Sequence, residues 1–300
     1  MTTPPALLIA GHGSRDEGGA HALRALVRLL RERHPDVPVA AGFFGAPDSP
    51  MPLDAAIDGL VEGGATRLAV IPLLTAPTGP VPDALPTVLA RAAERHSDLV
   101  HACGDELGPH PALLDVLEQR LDEALGSGAR RPADRARTTV LLVGRGAVDP
   151  HANAEVARAA RLLWEGRGFA GVETAFVAQA APDVPAGLDR CQKLGAVGAG
   201  EPGRIVVLPY FLLPGGPVER LHMQAEGWAA AHPGIDVFGA DVIGPEPAVV
   251  DVIMDRYHAT VAAAPRLGGA PCEDRAAAED ARTAHGSAPD ATVTTGAGDR

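Results

Sequence analysis

Long apolar runs are missing from this chain. No stretch approaches the roughly 20 apolar residues that a helix needs to cross a bilayer, so no membrane span is expected. A basic amino terminus followed by an apolar run, the mark of a secretion signal, is also lacking, and the expected location is the cytoplasm. Aromatic residues make up only 3% of the 300 positions, and lysine occurs once, at Lys193. Positive charge is in deficit, with a net charge of −12. General binding to nucleic acid or to an anionic membrane surface wants a basic face, so neither partner is expected. Cysteine is scarce: Cys103, Cys191 and Cys272 lie far apart without CxxC spacing. They read as reduced thiols, not as a disulfide framework or a zinc knuckle. The phosphate-binding GxxxxGK[ST], the zinc-binding HExxH and the GxSxG nucleophile elbow do not occur.

What the chain has is a steady supply of Ala, Val and Leu, with 46% hydrophobic residues overall. Strand and helix patterns alternate. Residues 7–10 are a continuous apolar run, the signature of a strand buried on both faces. Residues 18–33 then carry Leu23, Leu26, Val27 and Leu30 at helical spacing. The order repeats through strands at 38–44, 68–74 and 99–103 and helices at 53–62, 83–94 and 111–125. Such alternation predicts an α/β fold with a parallel sheet flanked by helices.

After a polar connector the pattern starts again, and the second half reads as a copy of the first. The segment Arg67-Leu-Ala-Val-Ile-Pro72 returns 137 residues later as Arg204-Ile-Val-Val-Leu-Pro209. Gly79-Pro80-Val81 returns as Gly216-Pro217-Val218, and Gly11-His12-Gly13 returns 133 residues later as Gly144-Arg145-Gly146. Two four-stranded parallel units are therefore expected, facing a shared cleft. The expected boundaries are 1–127 for the first unit, 128–137 for the linker, 138–262 for the repeat and 263–300 for a disordered tail poor in large apolar residues.

His12 stands at the carboxyl end of the first strand, where open α/β sheets place their ligand crevices. The flanking glycines allow a tight turn and leave the imidazole little covered. A neutral imidazole accepts a proton near neutral pH and ligates first-row divalent metals. Arg145 occupies the matching turn of the second half, and Ser14 and Arg15 follow His12 closely. All three are candidate donors to an anionic ligand, while His110 reads as a helix cap and His21, His34, His96 and His232 as solvated residues.

The segments LLIAGHGSRD (7–16), LGPHPALL (107–114), LLVGRGAVDP (141–150), ARLLWEGRGF (160–169), VETAF (172–176) and IVVLPYFL (205–212) together resemble the two-domain sirohydrochlorin chelatases, class II tetrapyrrole metal chelatases. The resemblance spans about residues 6–262. It implies a lyase that inserts Fe²⁺ or Co²⁺ into sirohydrochlorin for siroheme or cobalamin biosynthesis. It implies His12 as base and metal ligand, with Ser14, Arg15 and Arg145 contacting the polycarboxylate substrate. No permanently bound cofactor is implied, the divalent metal being a substrate. A monomer is expected, with the duplication replacing a homodimer. The family pattern also places a second histidine after a glycine in the loop following the third strand, and there this chain has Pro80. Proline offers no metal lone pair. The alternative is thus a degenerate relative that binds a tetrapyrrole or divalent metal without efficient turnover.

Overall fold

A computed structural model of the chain describes residues 4–13, 16–46, 48–76, 85–126, 132–195 and 203–267, the last four without their side chains. The first half runs β1 (Ala6–His12), α1 (Glu17–Arg33), β2 (Val39–Phe44), α2 (Leu53–Glu62), β3 (Arg67–Pro72), α3 (Leu85–Arg95), β4 (Val100–Cys103) and α4 (Pro111–Leu125). A short helix α5 (Pro132–Ala136) lies in the connector. The second half runs β5 (Thr138–Gly144), α6 (Pro150–Trp164), β6 (Gly171–Phe176), α7 (Val184–Gly195), β7 (Arg204–Pro209), α8 (Gly216–Ala231), β8 (Asp236–Gly239) and α9 (Pro247–Leu267). The boundary expected at 262 therefore falls inside a helix that continues to Leu267. Residues 268–300 lie outside the described residues.

Both sheets are four-stranded and parallel, in the orders β2-β1-β3-β4 and β6-β5-β7-β8. The duplication extends to register: Gly11 pairs with Phe43 in one sheet as Gly144 pairs with Phe176 in the other. Strand residues alternate between faces, as the pleat requires. On β1, Leu8 and Ala10 face α2 and α3 together with Leu53, Ile57 and Leu89. On β5, Leu141 and Val143 face α7 and α8 with Leu188 and Leu221. The opposite faces share one core: Leu7, Ile9 and Ile71 belong to the same cluster as Val140, Leu142, Val206 and Leu208.

That shared core depends on an exchange of helices. The last helix of each half leaves its own sheet and packs on the other: α9 lies against β3, β4 and α1, while α4 lies against β7, β8 and α6. The Tyr257 hydroxyl of α9 donates to the Pro5 carbonyl at 2.8 Å, and Arg256 Nε donates to the Glu106 carbonyl at 2.9 Å. In the other direction, Arg120 of α4 donates to the carbonyls of Val242 and Ile243 at 3.0 and 2.9 Å and pairs with Glu246. Glu118 of α4 accepts from Arg135 and, at 2.7 Å, from Arg167. His110 caps α4, its Nδ1 accepting from the Ala112 amide at 3.2 Å.

Several sequence expectations are corrected. Cys103 is disulfide-bonded rather than reduced, while Cys191 is a free, buried thiol. His96 is not simply solvated, since its Nε2 donates to Asp58 at 2.8 Å. His232 stacks on Trp228 with ring centroids 3.9 Å apart. No helix among the described residues is long and apolar enough to cross a membrane.

The exchange makes neither half complete alone. Ile253 on α9 is fully buried in the shared core. Ile253→Ala is expected to destabilise the whole chain by about 2–4 kcal/mol in one cooperative transition. Guanidinium unfolding followed by circular dichroism reads this, and two separated transitions would contradict the exchange.

Candidate active site

The carboxyl ends of the central strands of both sheets, β1 and β5, open onto one cavity of about 260 Å³ between the halves. Its walls come from both: Phe43, Leu73 and Thr75 from the first half, and Val156, Tyr210 and Leu212 from the second. His12 is the final residue of β1 and lines this cavity. The polypeptide turns immediately after it. Gly13 has φ +66°, a left-handed conformation that glycine takes without strain, and its amide donates to the Phe44 carbonyl at 2.9 Å. The His12 ring meets Phe44 edge-to-face at a centroid distance of 5.1 Å.

The matching turn carries Arg145. Gly146 has φ +86°, and a Cβ there would lie 1.8 Å from the Ala178 carbonyl oxygen, so only glycine fits. Asn153, on the first turns of α6, clamps the turn: its side-chain amide donates to Ala147 O at 2.8 Å and its oxygen accepts from Ala147 N at 3.0 Å. Held this way, Arg145 reaches across the cavity and its guanidinium donates to His12 Nδ1. Guanidinium carries only donors, so Nδ1 must hold the lone pair and the ring proton belongs on Nε2. Nε2 is buried and has no hydrogen-bond partner among the described residues. Burial, and secondarily the Arg145 charge, lower the His12 pKa to about 4, so the ring is neutral at physiological pH.

The sequence candidates separate accordingly. His12 and Arg145 are brought into contact, whereas Ser14 and Arg15, together with Pro80, lie outside the described residues. Among the described residues no three His, Cys, Asp or Glu side chains converge as a metal cage, leaving His12 as the one imidazole on the cavity.

Three further residues emerge only from the coordinates. Tyr210 lines the cavity with a buried hydroxyl that has no partner among the described residues, and burial raises its pKa so that the phenol stays protonated. Thr75 Oγ1 donates to the Tyr210 carbonyl at 3.2 Å, joining the halves at the cavity. Gln179 lines the cavity with φ +61°, a backbone conformation that non-glycine residues seldom adopt. The amino terminus of α8, at Gly216–Val218, also faces the cavity and adds its positive dipole end. None of these carried a sequence signal, whereas the left-handed turn at Gly146 did, through its match to Gly13.

Comparison with known proteins agrees with this architecture. The CbiX family model matches residues 6–124 and 139–260, one match for each half. A sirohydrochlorin cobaltochelatase of Priestia megaterium is 31% identical over 83% of this chain and 78% of its own length. A sirohydrochlorin ferrochelatase of the same organism is 29% identical over 70% of this chain and 74% of its own. Among solved structures, SirB from Bacillus subtilis with Fe³⁺ superposes with a TM-score of 0.69 at 21% identity, covering 87% of this chain and 97% of SirB, which shows a common fold. With both repeats matched by one model and relatives aligned across both halves, the chain belongs to the CbiX family.

Proposed function

We propose that this chain is a cytoplasmic sirohydrochlorin chelatase, a lyase that inserts Fe²⁺ or Co²⁺ into the macrocycle on the route to siroheme or cobalamin. The observation that carries the reading is a neutral imidazole on an apolar-walled cavity between two halves, facing a guanidinium from the matching turn. The relatives named above act, by their names, on this substrate with either metal.

The chemistry asks for little. Two pyrrole N–H protons leave the ring as one divalent ion enters, so charge balances when both protons depart. Neutral His12 takes one, and solvent takes the other. The same imidazole is a ligand of suitable softness for a first-row metal during delivery. With no group of three or more candidate ligands among the described residues, such a site holds the ion weakly, which suits an ion that must be handed on. Apolar side chains such as Phe43 and Leu212 offer flat contact to the macrocycle, and Arg145 offers bidentate recognition of its carboxylates. Ser14 and Arg15 complete the proposed substrate contacts. We further propose that the protein acts as a monomer, because the cavity draws its walls from both halves of one chain. Sedimentation equilibrium is expected to return about the chain mass of 30.7 kDa.

An absorbance assay of metal insertion into sirohydrochlorin tests the function directly. The wild-type protein is expected to exceed the uncatalysed rate with Fe²⁺ or Co²⁺. A spectral shift on binding without turnover would instead indicate the degenerate binder. His12→Ala is expected to lower kcat by at least about 100-fold, the scale of a lost general base. Because burial and the Arg145 charge both disfavour the imidazolium, protonation needs a pH well below 6.5. The acid limb of kcat/KM is therefore expected to descend towards pH 4, and a limb centred at 6.5 would contradict a His12 base held neutral by its surroundings. Pro80→His, which restores the family's second imidazole, is expected to increase the rate and lower the metal KM.

A further inference from the structure

Both nitrogens of His12 are closed to a metal ion in the free protein. The Nδ1 lone pair is taken by Arg145, and Nε2 carries the ring proton and is buried. A cation in contact with the ring also repels a divalent ion. His12 therefore cannot receive the metal until Arg145 moves.

Arg145 is built to move. Four partly buried arginines elsewhere are tied to carboxylates, Arg120 to Glu246, Arg135 to Glu118 and Asp122, Arg167 to Glu118, and Arg204 to Asp134, while Arg256 donates to the Glu106 carbonyl. Among the described residues Arg145 forms no ion pair, and its guanidinium donates to a neutral ring instead. It is accessible to solvent and lines the cavity, within reach of a ligand bound there. A carboxylate is a far better partner for guanidinium than a neutral imidazole, because the bond is charge-assisted and bidentate.

We propose that Arg145 is a movable cap on His12: a carboxylate of the bound tetrapyrrole draws the guanidinium away, freeing Nδ1, so the metal reaches His12 only after the macrocycle is seated. The proposal rests on the chelatase reading for the identity of the carboxylate. It makes Arg145 a positioning residue that sets the order of binding. In this scheme the site takes up a metal ion only when an acceptor is present.

Titration of the full chain with Co²⁺ alone, read by calorimetry, tests the cap. Arg145→Ala is expected to bind Co²⁺ about tenfold or more tightly than wild type, the scale of one hydrogen bond to a charged group. The gain is expected to vanish in His12→Ala/Arg145→Ala. An unchanged affinity in Arg145→Ala, or a gain that survives loss of His12, overturns the proposal. Arg145→Met serves the same test if the alanine variant is misfolded by circular dichroism. The trigger is read separately by ¹⁵N NMR of histidine. Metal-free sirohydrochlorin is expected to move the wild-type Nδ1 resonance of His12 towards its position in Arg145→Ala. A resonance that stays put while the pigment's absorption shows binding overturns the trigger. Failure of the pigment to bind at all counts against the chelatase reading and the trigger together, whereas the Co²⁺ titration still decides whether the cap exists.

Discussion

The exchange of α4 and α9 between the two sheets is the constraint on which the rest of the molecule depends. Each sheet buries one face under two of its own helices and the other under its own α1 or α6 together with a helix lent by its neighbour. An uncovered parallel sheet would expose a wide apolar face, which water strongly disfavours. The halves are thus not free to rotate as two domains on a flexible linker would be. The shared core holds the ends of β1 and β5 at a fixed separation, and the cavity inherits its shape from that separation.

The position of His12 and Arg145 follows from the same symmetry. They are equivalent residues, one position beyond matching glycines that occupy the same register position. Two equivalent groups related by an approximate twofold touch only if they lie close to its axis. Their contact at the cavity is what an approximate twofold relation between the halves would produce near its axis. Thr75 and Tyr210, bonded across the halves, fasten the floor just beneath.

Much of this was legible in the residues, though unevenly. The apolar run before Gly11 announced a central strand, and the recurrence of RLAVIP as RIVVLP announced the second sheet, ending like the first at a proline. The equivalence of His12 and Arg145 could be read from spacing, but their contact could not, because spacing within a repeat says nothing about how the copies pack. The helix exchange was hidden for a similar reason. An amphipathic helix such as α4 shows one apolar stripe, and that stripe looks the same whichever sheet it covers. Cys103 shows the limit from the other side: without CxxC spacing it read as a reduced thiol, yet it is disulfide-bonded. Tyr210 and Gln179 looked ordinary in sequence, since a buried phenol and a strained backbone are products of tertiary packing.

Joining the two units in one polypeptide has a consequence for ancestry and design. In a dimer of identical units, whatever residue met the axis would meet its own image. First halves would set imidazole against imidazole, and second halves would force two guanidinium cations together. Fusion removes that obligation, so a base and a cation can oppose each other across one opening. A symmetric assembly made from either half could not reproduce this polarity, and efforts to shrink the protein to a single repeat would lose the opposition of unlike groups before they lost the fold.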